Sequence, residues 1–372
     1  MEQEPDSLPV TVDAAAAAVV LVYADAEQSL LVRCAALIRD AVLAGPGSRE
    51  LASLYADLRR ETERTAALLR SRARTLATQV VGTGVRNGNT AATRAIAKHS
   101  DVVPLLPHDV NSARILAQDL DHRLTAASTR VARFADDAYR AATVSASLVQ
   151  ILPAKATPAE AQAQAWRQLV SRGVTGFTDK AGREWNLATY VEMAVRTATQ
   201  RAYNASHRDR LTQAGIHYFT PSTTGRPCGL CAPWEGKVLA DRGAGEVTEP
   251  HAAGGEPVTF TVAGTIEEAY AAGFGHPNCK HTLTAYLPGV TVLRGNQWTA
   301  ADELAYRTTQ TLRALERNVR ASKLQAAAAL TPLEKARAMR DVREGQARIR
   351  EFTARTGLLR RRQREQINNG YV

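Results

Sequence analysis

The sequences PCGLC, at residues 227–231, and HPNCKH, at residues 276–281, decide how the middle of this chain folds. In the first, two cysteines separated by two residues place both sulfurs on one tight turn. In the second, a cysteine lies between two histidines, and Pro277 keeps the preceding residue out of the helical conformation. Paired loops that carry sulfur and imidazole groups are typical of tetrahedral zinc sites, so zinc is the expected ion. The candidate ligands are Cys228, Cys231, His276, Cys279 and His281.

Three other interpretations of these residues are open. A disulfide between Cys228 and Cys231 requires an oxidising compartment or a redox role, and no thioredoxin-like pattern surrounds the pair. A zinc deaminase also carries Pro-Cys-x-x-Cys but needs an upstream His-x-Glu, and neither His207 nor His217 is followed by glutamate two residues later. In the third interpretation the histidines are ordinary loop residues.

Composition predicts a mainly α fold. The 372 residues contain only 5% aromatic side chains, and Ala, Leu, Arg and Val, which favour helices as a mixture, are plentiful. We expect three regions: a helical hairpin or bundle at residues 1–152, a small α+β module with the Cys/His cluster at 153–297, and basic helices at 298–372. The module has little core of its own, so a metal crosslink would stabilise it.

The first helices are predicted from caps and apolar spacing. Asp13 can cap a helix that ends near Leu43, and Ser48 can cap a second one after a Gly-Pro-Gly break. The second helix has a seam with alternating steps of four and three residues: Leu51, Tyr55, Leu58, Thr62, Thr65, Leu69, Arg72 and Leu76. The glycines and asparagines of residues 81–89 indicate a turn or hinge. Cys34 lies in an apolar pattern and is expected to be buried.

The rest of the chain alternates helices with short strand-prone segments. Pro104 and Pro107 mark an interruption, after which helical patterns cover residues 108–152 and 159–172. Residues 175–184 fit a turn or small hairpin. Strand-prone segments are residues 215–220 and 258–262. The helix after Trp298 has an apolar face with Leu304, Thr308, Leu312, Leu315 and Val319.

The charge of the chain indicates an acidic partner. The formal net charge is +10, and residues 334–365 contain 11 basic and 5 acidic side chains after a capping box that begins at Thr331. Packaged DNA is one candidate partner for this segment, and an acidic capsid surface is another. We expect no membrane partner, because the apolar run Ala14–Tyr23 is about half the length of a bilayer span and no basic residue precedes it.

Several motifs occur in the same order and spacing as in a known family. They are WxLxxYxEMxxRT at residues 185–197, CGLCxxWEGKVL at 228–239, HPNCKH at 276–281 and QxxRxLER at 310–317. The series resembles the phage minor capsid protein 2 family, which is related in character to the Mu-F-like head morphogenesis proteins. The resemblance runs from about residue 160 to residue 325. Lys280 stands where the family tends to have Arg.

The resemblance implies a structural or morphogenesis protein of a tailed-phage virion, made in the host cytoplasm and present in few copies. Its partners would be the portal protein and the major capsid protein, and it implies no enzymatic activity or small-molecule substrate. Two other functions stay open. One is a metal-finger nuclease with His251 or His281 as general base. The other is a DNA-binding protein that is ejected with the genome.

Overall fold

The computed structural model of the protein describes residues 10–43, 48–97, 110–148, 158–174, 177–178, 184–224, 227–294 and 298–367. These residues form long helices and a small five-stranded sheet, so the predicted mainly α fold is confirmed. The chain forms two compact units. The sheet unit comprises Met1–Ala16, Ala77–Leu120 and Met193–Thr308, and the helical unit comprises Ala17–Leu76, Asp121–Glu192 and Thr309–Val372. The division predicted at residues 152 and 297 stays a prediction.

Four helices occupy the amino-terminal half of the chain. They are α1 (Val10–Leu43), α2 (Ser48–Ala97), α3 (Val110–Leu148) and α4 (Pro158–Arg172). Helix α1 already includes Val10, so Asp13 lies inside it and the prediction that Asp13 caps the helix is wrong. Pro104 and Pro107, the predicted interruption, lie outside the described residues.

The buried seam of α2 follows the prediction from Leu58 to Leu69 and departs from it on either side, since Leu54 is buried where Leu51 and Tyr55 were expected. Leu58, Thr62, Thr65 and Leu69 are buried, whereas Arg72 is exposed and Ala73 is buried in its place. The prediction placed the next seam residue three positions after Leu69, whereas the buried residue lies four positions after it. The reason is that a helix with 3.6 residues per turn drifts from a strict seven-residue repeat.

The predicted hinge at residues 81–89 is wrong, because α2 continues through the whole stretch. Its glycines allow close packing against α5 (Leu187–Gln213) within the sheet unit. A β-carbon on Gly84 would lie 2.6 Å from the carbonyl oxygen of Thr199, and one on Gly88 would lie 2.4 Å from that of Tyr203. The glycines thus allow the backbones of α2 and α5 to approach each other. This packing keeps α2 helical although glycine lowers the stability of a helix.

Alanine substitutions on α2 test this packing. Gly88→Ala should lower the free energy of unfolding by about 1–3 kcal/mol, because the new methyl group meets backbone that cannot move aside. Gly82→Ala is the matched control: its β-carbon meets only the flexible end of Arg86, at 3.4 Å, so a gain of about 0.5–1 kcal/mol is expected. Urea unfolding of both variants measures the effects. Equal destabilisation by the two changes would contradict the packing role.

Helix α1 is the one helix among the described residues that is long and apolar enough to cross a membrane, over Ala14–Ala41. Length and composition do not distinguish a membrane span from a core helix. In this structure half of its most apolar window is buried inside the protein. Tyr23, Leu30, Leu31 and Ile38 are fully buried, and so is Cys34, as predicted. Helix α1 therefore packs as a core helix.

Two strands precede α5. They are β1 (Phe177–Thr178) and β2 (Glu184–Trp185), and they pair antiparallel, which confirms the predicted small hairpin. Asn186 then accepts a hydrogen bond from the backbone N–H of Thr189 at 2.8 Å and thereby caps α5.

The sheet of the sheet unit has the strand order β5-β6-β4-β3-β7. Its elements are β3 (Tyr218–Pro221), β4 (Val238–Ala240), β5 (Gly245–Glu249), β6 (Val258–Thr265) and β7 (Leu283–Ala285), with helix α6 (Ile266–Ala271) after β6. Strands β4 and β6 are parallel, and the other pairs are antiparallel. Two strand predictions are confirmed by β3 and β6. Strand β5 was not among the strand-prone segments identified from the sequence.

Two helices of the carboxyl-terminal part, α7 (Ala300–Ala327) and α8 (Pro332–Thr356), pack through Leu312, Val319, Val342 and Ile349 in the helical unit. Thr331 caps α8 by accepting the N–H of Glu334 at 3.1 Å, which is one of the two hydrogen bonds of the predicted capping box. The Glu334 carboxylate forms ion pairs with Arg167 and Arg337. Leu304 is 66% exposed, so the apolar face of α7 begins later than predicted.

Candidate metal centre

The two cysteine loops meet at one end of the sheet. The first loop follows β3 and precedes β4, and the second precedes β7. Strand β3 pairs with both of these strands, and its last residue, Pro221, lies opposite Leu283 at the start of β7. The sheet topology therefore brings together two sequences that are about 48 residues apart, as in the pair Cys231 and Cys279.

Each loop is a tight turn closed by backbone hydrogen bonds. In the first, Cys228 O accepts the N–H of Cys231 at 3.0 Å and that of Ala232 at 2.9 Å. In the second, His276 O accepts the N–H of Cys279 at 2.9 Å, with Asn278 in the left-handed conformation at φ 65°. Asparagine tolerates this conformation better than most residues. The two turns bring the sulfur atoms of Cys231 and Cys279 to 3.6 Å from each other.

The side chains of all five predicted ligands come together there. They form two groups that share Cys231: one with Cys228 and His276, and one with Cys279 and His281. Within each group the ligand atoms lie within 4.8 Å of one another. The cluster can hold a metal ion. All four cysteines of the chain are free, so no disulfide joins Cys228 to Cys231.

The distances between ligand atoms are short. Cys231 Sγ lies 3.6 Å from Cys279 Sγ, which lies 3.5 Å from His281 Nδ1. Cys228 Sγ lies 2.9 Å from His276 Nε2. The second group is fully buried, whereas Cys228 and His276 are half-buried. A closed set of sulfur and nitrogen donors is what a structural metal site requires.

Hydrogen bonds change the acidity of the sulfurs. The bond with Cys231, assisted by one with His276, lowers the pKa of Cys228 to about 3. The bond with Cys231, assisted by His281, lowers the pKa of Cys279 to about 4. The same bonds, together with burial, raise the pKa of Cys231. The lowered pKa values favour the thiolate form of Cys228 and Cys279, which is the form that binds metals, and an ion would favour loss of the proton of Cys231.

The hydrogen bond with Cys228 raises the pKa of His276 to about 9. Burial acts to lower the pKa of His281, but hydrogen bonds with Cys279 and Glu235 raise it to about 9. A bound metal ion takes the place of a proton on a ring nitrogen, so metal binding at this cluster releases protons.

The sequence analysis did not identify the main contact of Glu235. Glu235 Oε1 lies 2.8 Å from His281 Nε2 and also accepts the backbone N–H of Thr224 at 3.0 Å. The carbonyl oxygen of His281 accepts hydrogen bonds from Gln200 at 2.8 Å and Asn204 at 3.1 Å. The only sequence signal was that Glu235 belongs to the motif at residues 228–239.

The other histidines of the described residues lie outside both ligand groups. His251 Nδ1 accepts the N–H of Ala253, and its ring occupies the space beside Gly289, where a β-carbon would lie 2.2 Å from it. His217 lies beside Asp241, and buried His207 contacts Gly88 O at 3.2 Å. Neither forms the upstream ligand that a deaminase requires.

The protein is mainly helical and has a small mixed sheet. Two cysteine loops at one end of that sheet form a compact module that can hold a metal ion. A family model described as phage minor capsid protein 2 matches residues 8–354. The chain belongs to this family, and the match extends over the amino-terminal helices, where the sequence showed no alignable motif. No curated protein and no solved structure matches the chain. Family membership supports a structural role in the phage virion, together with other virion components.

Proposed function

We propose that the protein is a minor head component that acts in head morphogenesis at the portal or the inner capsid surface. The metal-stapled module would carry one docking surface, and the helices of residues 1–152 and 298–372 would serve as docking arms. The portal protein and the major capsid protein are the proposed partners. Support for this function comes from the family match over residues 8–354.

Zinc is the metal that the donor set favours. Three cysteine sulfurs with imidazole nitrogen suit a d¹⁰ ion of borderline softness, and no carboxylate belongs to either ligand group of the described residues. Cys228, Cys231, Cys279 and one histidine would hold the ion. When bound, zinc would supply a crosslink between the two loops, and its binding free energy would contribute to folding.

One observation separates this function from a metal-finger nuclease: His281 is engaged in a buried contact and the half-buried His251 in a packing contact. His281 is 4% exposed and lies against Glu235, and His251 packs against the turn at Gly289. A nuclease requires a base that reaches a water molecule beside a second, substrate-bound cation. The buried, closed cluster favours a structural centre.

The experiment combines particle analysis with an activity assay. We expect the protein in purified virions, at few copies, and a phage without it should yield defective heads. We also expect no cleavage of duplex DNA, single strands or RNA in Mg²⁺, Mn²⁺ or Zn²⁺. Absence from virions, together with metal-dependent cleavage that His251→Ala or His281→Ala abolishes, would overturn the proposal in favour of the nuclease.

A basic surface on α8 favours a further contact, with packaged DNA or an acidic capsid surface. Arg340, Arg343 and Arg350 are exposed, while Val342 and Ile349 on the same helix are buried. These arginines lie within about 80° of one another around the helix axis, at 100° per residue. The surface has no aromatic side chains interleaved for base stacking, so it would bind through charge and without sequence preference.

The salt dependence of binding tests the DNA contact. Replacing Arg340, Arg343 and Arg350 with glutamine should weaken duplex binding and reduce the slope of log affinity against log salt by about 2.7, or about 0.9 for each phosphate contact. The matched control replaces Arg64, Arg70 and Arg74, exposed on α2, and should leave the slope unchanged. Equal slopes for the two triple variants would contradict a DNA contact at α8.

A further inference from the structure

Two histidines flank Cys279, and a tetrahedral site with three sulfurs has room for only one of them. Each has one ring nitrogen near a cysteine sulfur: His276 Nε2 near Cys228, and His281 Nδ1 near Cys279. Sequence spacing does not choose between them. The contacts that the two imidazole rings make distinguish the ligand from the non-ligand.

The distances match a metal ligand only for His281. Zinc bonds of about 2.3 Å to sulfur and about 2.0–2.1 Å to nitrogen place a sulfur and a nitrogen about 3.5–3.6 Å apart in a tetrahedron. Cys279 Sγ and His281 Nδ1 are 3.5 Å apart. Cys228 Sγ and His276 Nε2 are 2.9 Å apart, which is a hydrogen-bond distance and too short for two ligands of one ion.

Glu235 fixes which nitrogen of His281 faces the sulfurs. Its carboxylate lies 2.8 Å from Nε2, and a carboxylate only accepts hydrogen bonds, so Nε2 carries a hydrogen and Nδ1 is the nitrogen on which an ion can replace the proton. The His281 side chain is 4% exposed and that of Glu235 is 1% exposed. The Glu235 carboxylate also accepts a hydrogen bond from the backbone N–H of Thr224. The backbone carbonyl of His281 accepts hydrogen bonds from Gln200 and Asn204. Metal-bound histidines commonly have such a partner on the other ring nitrogen.

His276 has a different environment. Its Nδ1 lies 2.8 Å from the carbonyl oxygen of Pro277, a contact within its own loop, and the ring is half-buried at the surface of the cluster. A closed structural site uses its buried donors, and the group Cys231, Cys279 and His281 is buried throughout.

We propose that His281 is the nitrogen ligand of the metal, beside Cys228, Cys231 and Cys279, and that Glu235 is a positioning residue that holds His281 in the ligating tautomer. His276 contacts the Cys228 sulfur without binding the ion. This assignment rests on the proposed function of the cluster as a metal centre.

The experiment uses the full-length protein loaded with zinc or with Co²⁺, and X-ray absorption to count sulfur and nitrogen ligands. His276→Ala, a change at a half-buried loop position, should retain one nitrogen ligand and the cobalt absorption spectrum of the wild type. Glu235→Ala should weaken metal affinity about 10–100-fold, as removal of such partners does, and Glu235→Gln should restore most of it because the amide oxygen still accepts a hydrogen bond. Nitrogen NMR of the zinc-loaded wild type should show one histidine bound through Nδ1.

Loss of the nitrogen ligand in His276→Ala would overturn the assignment, and so would a histidine bound through Nε2. If Glu235→Ala bound the metal as tightly as the wild type, Glu235 would not be a positioning residue. Failure of the wild type to bind zinc or cobalt at all would instead refute the metal centre itself, so the two failures are distinguishable. None of these measurements uses the His281→Ala variant, so the test does not depend on whether that variant folds.

Discussion

Cys231→Ser should abolish tight zinc binding and unfold the loops that carry the cluster. Cys231 belongs to both ligand groups, is fully buried and packs in a core with Phe219, Leu239 and Phe274. Structural zinc sites in small modules have apparent binding free energies of about 10–16 kcal/mol, and that energy is folding energy where no preformed site exists. The larger core of the sheet unit would retain part of its structure, so the expected loss is concentrated in residues 222–288.

Zinc content by elemental analysis and thermal unfolding with and without a chelator measure this effect. The chelator should lower the melting temperature of the wild type strongly and that of Cys231→Ser hardly at all. Cys34→Ala is the matched control, because Cys34 is equally buried but lies in α1 and outside the cluster. It should keep one zinc per chain. A Cys231→Ser protein with a full complement of zinc and an unchanged melting temperature would contradict the metal centre.

The clustering of the cysteine and histidine side chains was predictable from sequence because its signals are local. A Cys-x-x-Cys turn and a cysteine between histidines are each contained in six residues or fewer, and the chemistry of sulfur ligands does not depend on the rest of the fold. Glu235 was not predictable as a partner of His281, because 46 residues separate them and only the pairing of β3 with β4 and β7 brings them together.

The fold class was predictable for a similar reason, and its details were not. Long runs of helix-favouring residues indicate α1, α2 and α3, whereas the glycines in α2 have the composition of a hinge. Their role depends on α5, whose backbone approaches them, and no local pattern contains that information. Strand β5 was missed because it lies at the sheet edge and is mostly exposed, so its apolar alternation is weak.

The buried carboxylate of Glu27 should be one of the largest single contributors to the stability of the helical unit. Glu27 is 4% exposed, and its Oε1 accepts the backbone N–H groups of Val174 at 3.1 Å and Leu187 at 3.3 Å. Its Oε2 accepts that of Ala188 at 3.3 Å. Two of these donors begin α5, where the helix dipole favours a negative charge. The carboxylate therefore satisfies backbone groups that helix geometry leaves without partners.

Glu27→Ala should lower the free energy of unfolding by about 3–5 kcal/mol, because each buried N–H left without a partner costs about 1–3 kcal/mol. Glu27→Gln should cost less, since its amide oxygen keeps the bonds to Val174 and Leu187 while its NH₂ group faces the N–H of Ala188. Urea unfolding of both variants checks the order. Equal losses for the two variants would show that packing volume, and not hydrogen bonding, accounts for the effect.

The pH dependence of stability gives a second test of Glu27. Burial raises the pKa of its carboxyl group, although the three backbone donors oppose this. A carboxyl group whose pKa is higher in the folded state contributes stability that is complete below its unfolded pKa of about 4.3 and is lost as pH rises through the folded pKa. The stability of the wild type relative to Glu27→Gln should therefore decrease as pH rises across that interval, because glutamine does not titrate. A relative stability that increases with pH would mean that the three N–H groups outweigh burial and lower the pKa.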